Sequence, residues 1–216
     1  RDDCKDIAAG KQGQLLGYGA VYASTGAKFQ VDCIKGKYEP NGNAACADVG
    51  AGKVGRTTNA ATTGLADSIH QAGAAFEVGC YVGTFRAASS GSSNCVNVAA
   101  GRVGRTAVTA TTGLSDSIHQ AGAAFEVGCY VGTYRVASND ASNCVEADAG
   151  KVSSTSAAAL QADSGATQQA ACGKGFFKKE SGAVSLFSQI TSAGTGHTAN
   201  QNAVEHTPTV AQGTAA

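Results

Sequence analysis

Eight cysteines in two fixed registers constrain the fold of this chain more than any other feature. In the first register a glycine and a basic residue follow six and seven positions later; its members are Cys4, Cys46, Cys95 and Cys144. In the second register a glycine follows at three positions and an aromatic at five; its members are Cys33, Cys80, Cys129 and Cys172. All eight cysteines fit, so the chain is predicted to be a tandem array, which builds an extended surface or an assembly more often than a catalytic pocket.

The registers divide the chain into four repeats and a C-terminal segment. Repeat 1 covers 4–45, repeat 2 covers 46–94, repeat 3 covers 95–143, repeat 4 covers 144–182, and a strand or tail covers 183–216. Repeats 2 and 3 are close copies, whereas repeats 1 and 4 diverge, as terminal repeats generally do. Within the last segment, the apolar stretch 184–190 is predicted to form a strand or cap.

Repeats of this size cannot bury enough apolar surface to fold without a staple or a neighbour. An even number of cysteines in fixed register indicates disulfides formed in an oxidising compartment. We therefore expect all eight cysteines to be disulfide-bonded and the protein to be extracellular or at the cell surface. The absence of methionine fits a mature, secreted chain.

Two pairing schemes treat the repeats equivalently. The first closes each repeat on itself, and its bonds are Cys4–Cys33, Cys46–Cys80, Cys95–Cys129 and Cys144–Cys172. The second closes the short loops, and its bonds are Cys33–Cys46, Cys80–Cys95 and Cys129–Cys144. We favour the first because the second leaves over Cys4 and Cys172, which could then link separate molecules.

The local patterns predict an α+β, β-rich fold in which each repeat is a strand, a short helix and a strand. In repeat 2, alternation predicts a strand over 75–86 with Phe76, Val78, Cys80 and Val82 on its inward face. Residues 63–73 are predicted to form the helix, with Thr63 as its N-cap and Gly73 as its stop. Repeats that are entirely β remain the alternative, because stretches rich in Thr and Gly favour helix poorly.

No residue pattern supports catalysis, so the chain is predicted not to be an enzyme and to need no cofactor. A carboxylate and an imidazole three residues apart form the most suggestive pair, in Asp67 with His70 and again in Asp116 with His119. Such a pair can share a metal ion or a proton. Two identical sites in series are unusual for an enzyme, so the preferred interpretation is a polar face, with a weak cation site as the alternative.

The charge pattern bears on partners. A formal net charge of zero argues against nucleic acid and leaves copies free to associate. Lys53, Arg56 and Arg86 are predicted to form a basic ladder balanced by Asp67 and Glu77. There is no apolar run long enough to span a membrane and no Asn-x-Ser/Thr sequon, so any glycan would be attached to hydroxyl groups.

One sequence element resembles a known class of proteins. The run Cys80-Tyr81-Val82-Gly83-Thr84-Phe85, followed by serines and Cys95, is similar to an element of cysteine-rich surface antigens of ciliates and other protists. Residues 129–144 repeat it. The resemblance covers the last third of each repeat and implies an extracellular or cell-surface setting.

These observations lead to two functional hypotheses. The first is a non-catalytic structural protein that assembles with itself into a filament or surface coat. Glycines beside aromatic side chains allow close approach, so the predicted assembly contacts are Tyr81, Phe85, Tyr130 and Tyr134. The second is a monomeric adhesion or carbohydrate-binding module that stacks an aromatic side chain on a glycan.

Overall fold

Sixteen short strands, paired two by two, make up the described part of the protein. The structure is a computed structural model that describes residues 4–16, 21–138, 140–156, 164–172, 176–178 and 187–189. Four long hairpins pair strands of four residues: Lys11–Gln14 (β1) with Phe29–Asp32 (β2), Lys53–Arg56 (β5) with Phe76–Gly79 (β6), Arg102–Arg105 (β9) with Phe125–Gly128 (β10), and Lys151–Ser154 (β13) with Gln168–Ala171 (β14).

Four short hairpins alternate with the long ones along the chain. They pair Lys37–Tyr38 (β3) with Ala47–Asp48 (β4), Thr84–Phe85 (β7) with Val96–Asn97 (β8), Thr133–Tyr134 (β11) with Val145–Glu146 (β12), and Phe176–Lys178 (β15) with Phe187–Gln189 (β16). The pairing is antiparallel, with Lys53 opposite Gly79 and Arg56 opposite Phe76 in the second long hairpin. Of the predicted C-terminal segment 183–216, only β16 lies within the described residues.

The chain divides into two compact units. Unit 1 comprises Arg1–Val98, Gly104–Val108 and His119–Glu126. Unit 2 comprises Ala99–Val103, Thr109–Ile118 and Val127–Ala216. This division does not decide where one repeat ends and the next begins, so the four repeat boundaries stay predictions.

Each unit has a small buried cluster built around a disulfide. In unit 1 the cluster is Val54, Cys80 and Cys95, and in unit 2 it is Val103, Cys129 and Cys144. Clusters this small bury little apolar surface, which is why the covalent bond matters for stability.

The disulfides correct the pairing that we favoured from sequence. Three bonds are present: Cys33–Cys46, Cys80–Cys95 and Cys129–Cys144. Each closes a short hairpin and joins the second cysteine of one repeat to the first cysteine of the next. Cys4 and Cys172 belong to no disulfide, contrary to the expectation for all eight cysteines. Whether these two link separate molecules stays a prediction.

The predicted α+β class is wrong. The described residues contain no α-helix, and the repeats consist of small antiparallel hairpins, which is closer to the all-β alternative. The predicted helix over 63–73 is a single 3₁₀ turn, Leu65–Asp67, and Leu114–Asp116 repeats it. The hydroxyl of Thr63, the expected N-cap, instead donates to the Asp67 carboxylate.

Tertiary hydrogen bonds explain why this helix does not extend. Locally, the Ser68 hydroxyl donates to the Gly64 carbonyl four residues earlier. The Gly55 N–H then donates to His70 Nδ1, and the Gln71 N–H donates to the Gly55 carbonyl. A segment this short gains little from a helix of its own, so bonds to the edge of β5 decide its conformation.

The strand predicted over 75–86 is also interrupted. It forms as β6 and β7, separated by a turn in which Gly83 has a φ of 86°. Val78 and Cys80 are buried as predicted, but Phe76 is 36% exposed. The turn allows the chain after Cys80 to start the short hairpin that the disulfide closes.

Candidate functional site

The most regular site in the protein is a close backbone contact between one repeat and the next, here called the glycine contact. Gly52 immediately precedes β5 and has a φ of 73°. A Cβ at Gly52 would lie 2.1 Å from the carbonyl oxygen of Gly122. Two further contacts between long hairpins have the same form: Gly10 meets Gly73 in unit 1, and Gly101 meets Gly165 in unit 2. The approach is so close that only glycine fits the first position of each pair.

Main-chain hydrogen bonds accompany each glycine contact. Beside the Gly52 contact, the Gly122 N–H donates to the Cys80 carbonyl at 2.8 Å, and the Arg86 N–H donates to the Ala123 carbonyl at 3.0 Å. The same two bonds recur as Gly73 to Cys33 and Glu39 to Ala74 in unit 1, and as Gly165 to Cys129 and Arg135 to Ala166 in unit 2. The contact is therefore made mainly of backbone and tolerates sequence divergence between repeats.

Two glycines hold the same positions without making this contact. Gly26 precedes β2 as Gly73 precedes β6, and its φ of 63° is close to the 65° of Gly73. Gly150 precedes β13 as Gly52 precedes β5, with a φ of 75°. Among the residues that the structure describes, no atom lies within 4 Å of a Cβ placed at Gly26 or at Gly150. Each half of the glycine contact is thus found once more in the described part of the chain, with no described atom against it.

Arg86 corrects the predicted basic ladder, because its side chain is buried and only 2% exposed. Its guanidinium donates to main-chain carbonyls of Val49, Gly50, Ser90, Gly91 and Ser93. Burial lowers the pKa of Arg86 from its ordinary value, but the group remains charged. Arg135 is equally buried and binds carbonyls of Ala99, Arg102, Asp140 and Ser142. These arginines act as internal clamps on loops.

Repeat 1 has a carboxylate where repeats 2 and 3 have the buried arginine. Glu39 follows β3 as Arg86 follows β7, and it is 2% exposed. Its carboxylate accepts hydrogen bonds from the N–H groups of Asn41 and Gly42. The loop of repeat 1 is therefore held by an acceptor instead of a donor.

Of the predicted basic ladder, Lys53 does form a surface ion pair with Glu77. Lys53 Nζ lies 3.0 Å from the Glu77 carboxylate across the β5–β6 hairpin, and Lys11 lies 3.0 Å from Asp32 across β1–β2. Exposed pairs of this kind contribute little stability each.

The Asp–His pairs are engaged in protein hydrogen bonds. His70 is buried, and its Nδ1 accepts from the Gly55 N–H at 3.0 Å. Asp67 accepts from Thr63, which lowers the pKa of Asp67 from its usual value. In repeat 3, His119 Nδ1 accepts from the Gly104 N–H, and Asp116 accepts from Thr112. Within the described part of the chain, no group of three His, Cys, Asp or Glu side chains could hold a metal ion.

The structure leaves the predicted aromatic contacts half-buried. These side chains are Tyr81, Phe85, Tyr130 and Tyr134. The backbones of Phe85 and Tyr134 form parallel bridges with Ala123 and Ala166, so they lie beside the glycine contacts. Their role in contacts between copies stays a prediction.

Sequence reasoning missed the glycine contact, although a signal for it was present. Gly26, Gly73, Gly122 and Gly165 each lie three positions before the second strand of a long hairpin. We interpreted Gly73 as the stop of a helix, because the sequence does not show that it meets a glycine turn far away in the chain.

No protein-family model matches the chain, and the search of curated proteins also found no match. The three disulfides fit an extracellular or secreted protein. Among the described residues, no helix has the length and hydropathy needed to cross a membrane.

Proposed function

We propose that this protein is a non-catalytic extracellular structural protein whose copies join head to tail into a filament or surface coat, through the glycine contact that joins its own repeats. The observation that carries the proposal is that Gly26 and Gly150 have the positions and backbone conformation of the two halves of that contact, with no described residue against either of them. In this scheme Gly150 of one copy meets Gly26 of the next.

A contact between two different surfaces can propagate without limit. Each glycine contact uses one surface from the start of a long hairpin and another from the loop of the following long hairpin. Such heterologous interfaces build rings or open filaments, unlike a symmetric pairing, which stops at two copies. The protein already repeats this contact three times within its described residues.

Long-range charge repulsion does not oppose association of the copies. The formal net charge is zero, so copies do not repel one another over long range. The contact is built from N–H and carbonyl groups, and assembly is therefore expected to depend weakly on salt.

The test compares one substitution at the open surface with a matched control. In Gly150→Asn the backbone conformation is retained, because Asn tolerates positive φ, but the new side chain occupies the space that Gly26 of the next copy needs. The control is Gly91→Asn, since Gly91 also has positive φ (79°) and open space at its Cβ. Sedimentation velocity at increasing protein concentration measures assembly, and negative-stain electron microscopy shows its form.

The proposal expects the unmodified protein and Gly91→Asn to grow with concentration and Gly150→Asn to remain small. If all three proteins sediment as monomers at every concentration, the proposal fails. Glycan-array binding by the monomer would then support the adhesion or carbohydrate-binding alternative, with Tyr81 and Tyr130 as the stacking side chains to test. Equal growth of all three proteins would show assembly through another surface.

A further inference from the structure

A turn covers the disulfide-closed hairpin in repeats 2 and 3. In repeat 2, the buried Ser68 accepts two hydrogen bonds: its carbonyl accepts from the Cys95 N–H at 3.1 Å, and its hydroxyl accepts from the Tyr81 N–H at 3.0 Å. In unit 2 the same two bonds join Ser117 to Cys144 and Tyr130. One serine thus satisfies two amides beside each disulfide.

The corresponding connection in repeat 1 is five positions shorter. The connection between β1 and β2 covers residues 15–28, fourteen positions, whereas the connection between β5 and β6 covers residues 57–75, nineteen positions. The serine and the 3₁₀ turn belong to the longer connection.

A side chain replaces one of the two missing bonds. Gln12 lies on β1 where Val54 lies on β5, and its Oε1 accepts from the Cys46 N–H at 3.1 Å. Cys46 is the register equivalent of Cys95, so Gln12 takes over the role of the Ser68 carbonyl.

The other bond has no replacement among the described residues. Ile34 follows Cys33 as Tyr81 follows Cys80, but the Ile34 N–H makes no hydrogen bond to a described residue. The Ile34 side chain is also 66% exposed. Ile34 therefore offers a ligand both a backbone N–H donor and an exposed apolar side chain.

Ile34 also lines a cavity. Its volume is about 540 Å³, and its lining includes Gln12, Val31, Ile34, Ala45 and Cys46. This volume falls within the range of about 300–1,000 Å³ that is usual for ligand sites. All of the lining residues belong to unit 1.

We propose that this cavity, the repeat 1 groove, binds a peptide turn of a partner protein that carries a serine or threonine hydroxyl. Repeats 2 and 3 show what covers the equivalent position, namely the turn that carries Ser68 or Ser117. The hydroxyl accepts a hydrogen bond from the Ile34 N–H, as the Ser68 hydroxyl does from Tyr81, and the apolar part of the peptide covers Ile34. The site is independent of the glycine contact.

The test uses a peptide probe taken from the protein itself. The peptide Gly64–Gln71 (GLADSIHQ) is added to uniformly ¹⁵N-labelled full-length protein, and amide shifts are followed by NMR. We expect a saturable shift of the Ile34 amide. The matched peptide with Ser68→Ala should bind about fivefold more weakly, which is the value of one neutral hydrogen bond.

Two protein variants locate the binding. Ala45→Trp fills the groove at an exposed position and should abolish the shift at Ile34, whereas Ala44→Trp, at an exposed position outside the lining, should leave it unchanged. The proposal is overturned if Ile34 does not respond at millimolar peptide or if both peptides bind equally. It is also overturned if the Tyr81 and Tyr130 amides respond instead, because the peptide would then be exchanging with the internal turns.

Discussion

The α-carbon of Gly52 lies so close to Gly122 that a Cβ at Gly52 would be 2.1 Å from the Gly122 carbonyl oxygen. Seventy positions separate these glycines along the chain. Two further pairs repeat the relationship, so one backbone contact joins neighbouring repeats throughout the described part of the protein.

This relationship predicts unequal effects of one substitution at two glycines of the same conformation. Gly150→Ala meets open space and should lose about 1–2 kcal/mol, the cost of an L-residue in the left-handed region. Gly52→Ala adds a clash with backbone and should lose at least about 2 kcal/mol more. Guanidinium denaturation of both variants measures the difference. Equal losses would mean that the Gly52 contact is not formed in solution.

The disulfides predict that cysteine substitutions will differ in their effect on the free energy of unfolding. Replacing Cys80 and Cys95 together by serine removes the bond that closes the β7–β8 hairpin, and the free energy of unfolding should fall by about 3 kcal/mol. Cys4→Ser is the control, because Cys4 is exposed and belongs to no disulfide, and it should leave stability unchanged. Mass spectrometry of peptides from unreduced protein checks the connectivity directly, and recovery of a Cys46–Cys80 peptide would contradict it.

The buried arginine predicts a large effect at a position that looks like surface in the sequence. Arg86→Met keeps most of the side-chain volume but leaves buried carbonyls such as that of Val49 without a donor, so unfolding should become easier by about 3 kcal/mol or more. Arg102→Met, at an exposed position on β9, is the control and should change stability by less than about 0.5 kcal/mol. Thermal and chemical denaturation measure both variants. Similar small effects would show that the Arg86 side chain is solvated.

His70 predicts a loss of stability in acid. Burial, and then the nearby charge of Arg86, lower the pKa of His70 below its ordinary value of about 6.5. Below about pH 6.5, His70 therefore binds a proton more readily in the unfolded chain than in the folded protein. Its contribution to the free energy of unfolding is complete above about pH 6.5 and decreases as the pH drops below that value.

A non-titrating variant isolates this effect. In His70→Asn the Oδ1 atom can still accept from the Gly55 N–H, so the variant should be less sensitive to acid between pH 7.5 and pH 5.5. The measurement is the free energy of unfolding at both pH values. An identical pH dependence in both proteins would assign the acid sensitivity to other groups.

Several elements were predictable from sequence because local rules govern them. Glycine before a basic residue indicated a turn, and Gly10, Gly52, Gly101 and Gly150 all have positive φ. The alternation through Val78 and Cys80 identified a strand with a buried face. The helix over 63–73 was predicted wrongly, because the bonds of His70 and Gln71 to Gly55 come from a strand that the local pattern does not include.

The sequence by itself determined the registers of the eight cysteines and the recurrence of glycine and aromatic positions, because these are properties of spacing and composition. Only the tertiary structure decided which cysteines pair, that Arg86 is buried, and that Gly52 meets Gly122. Each of these depends on segments that lie far apart in the chain and approach one another through backbone hydrogen bonds. Such bonds leave little trace in side-chain identity, apart from a glycine where no Cβ can fit.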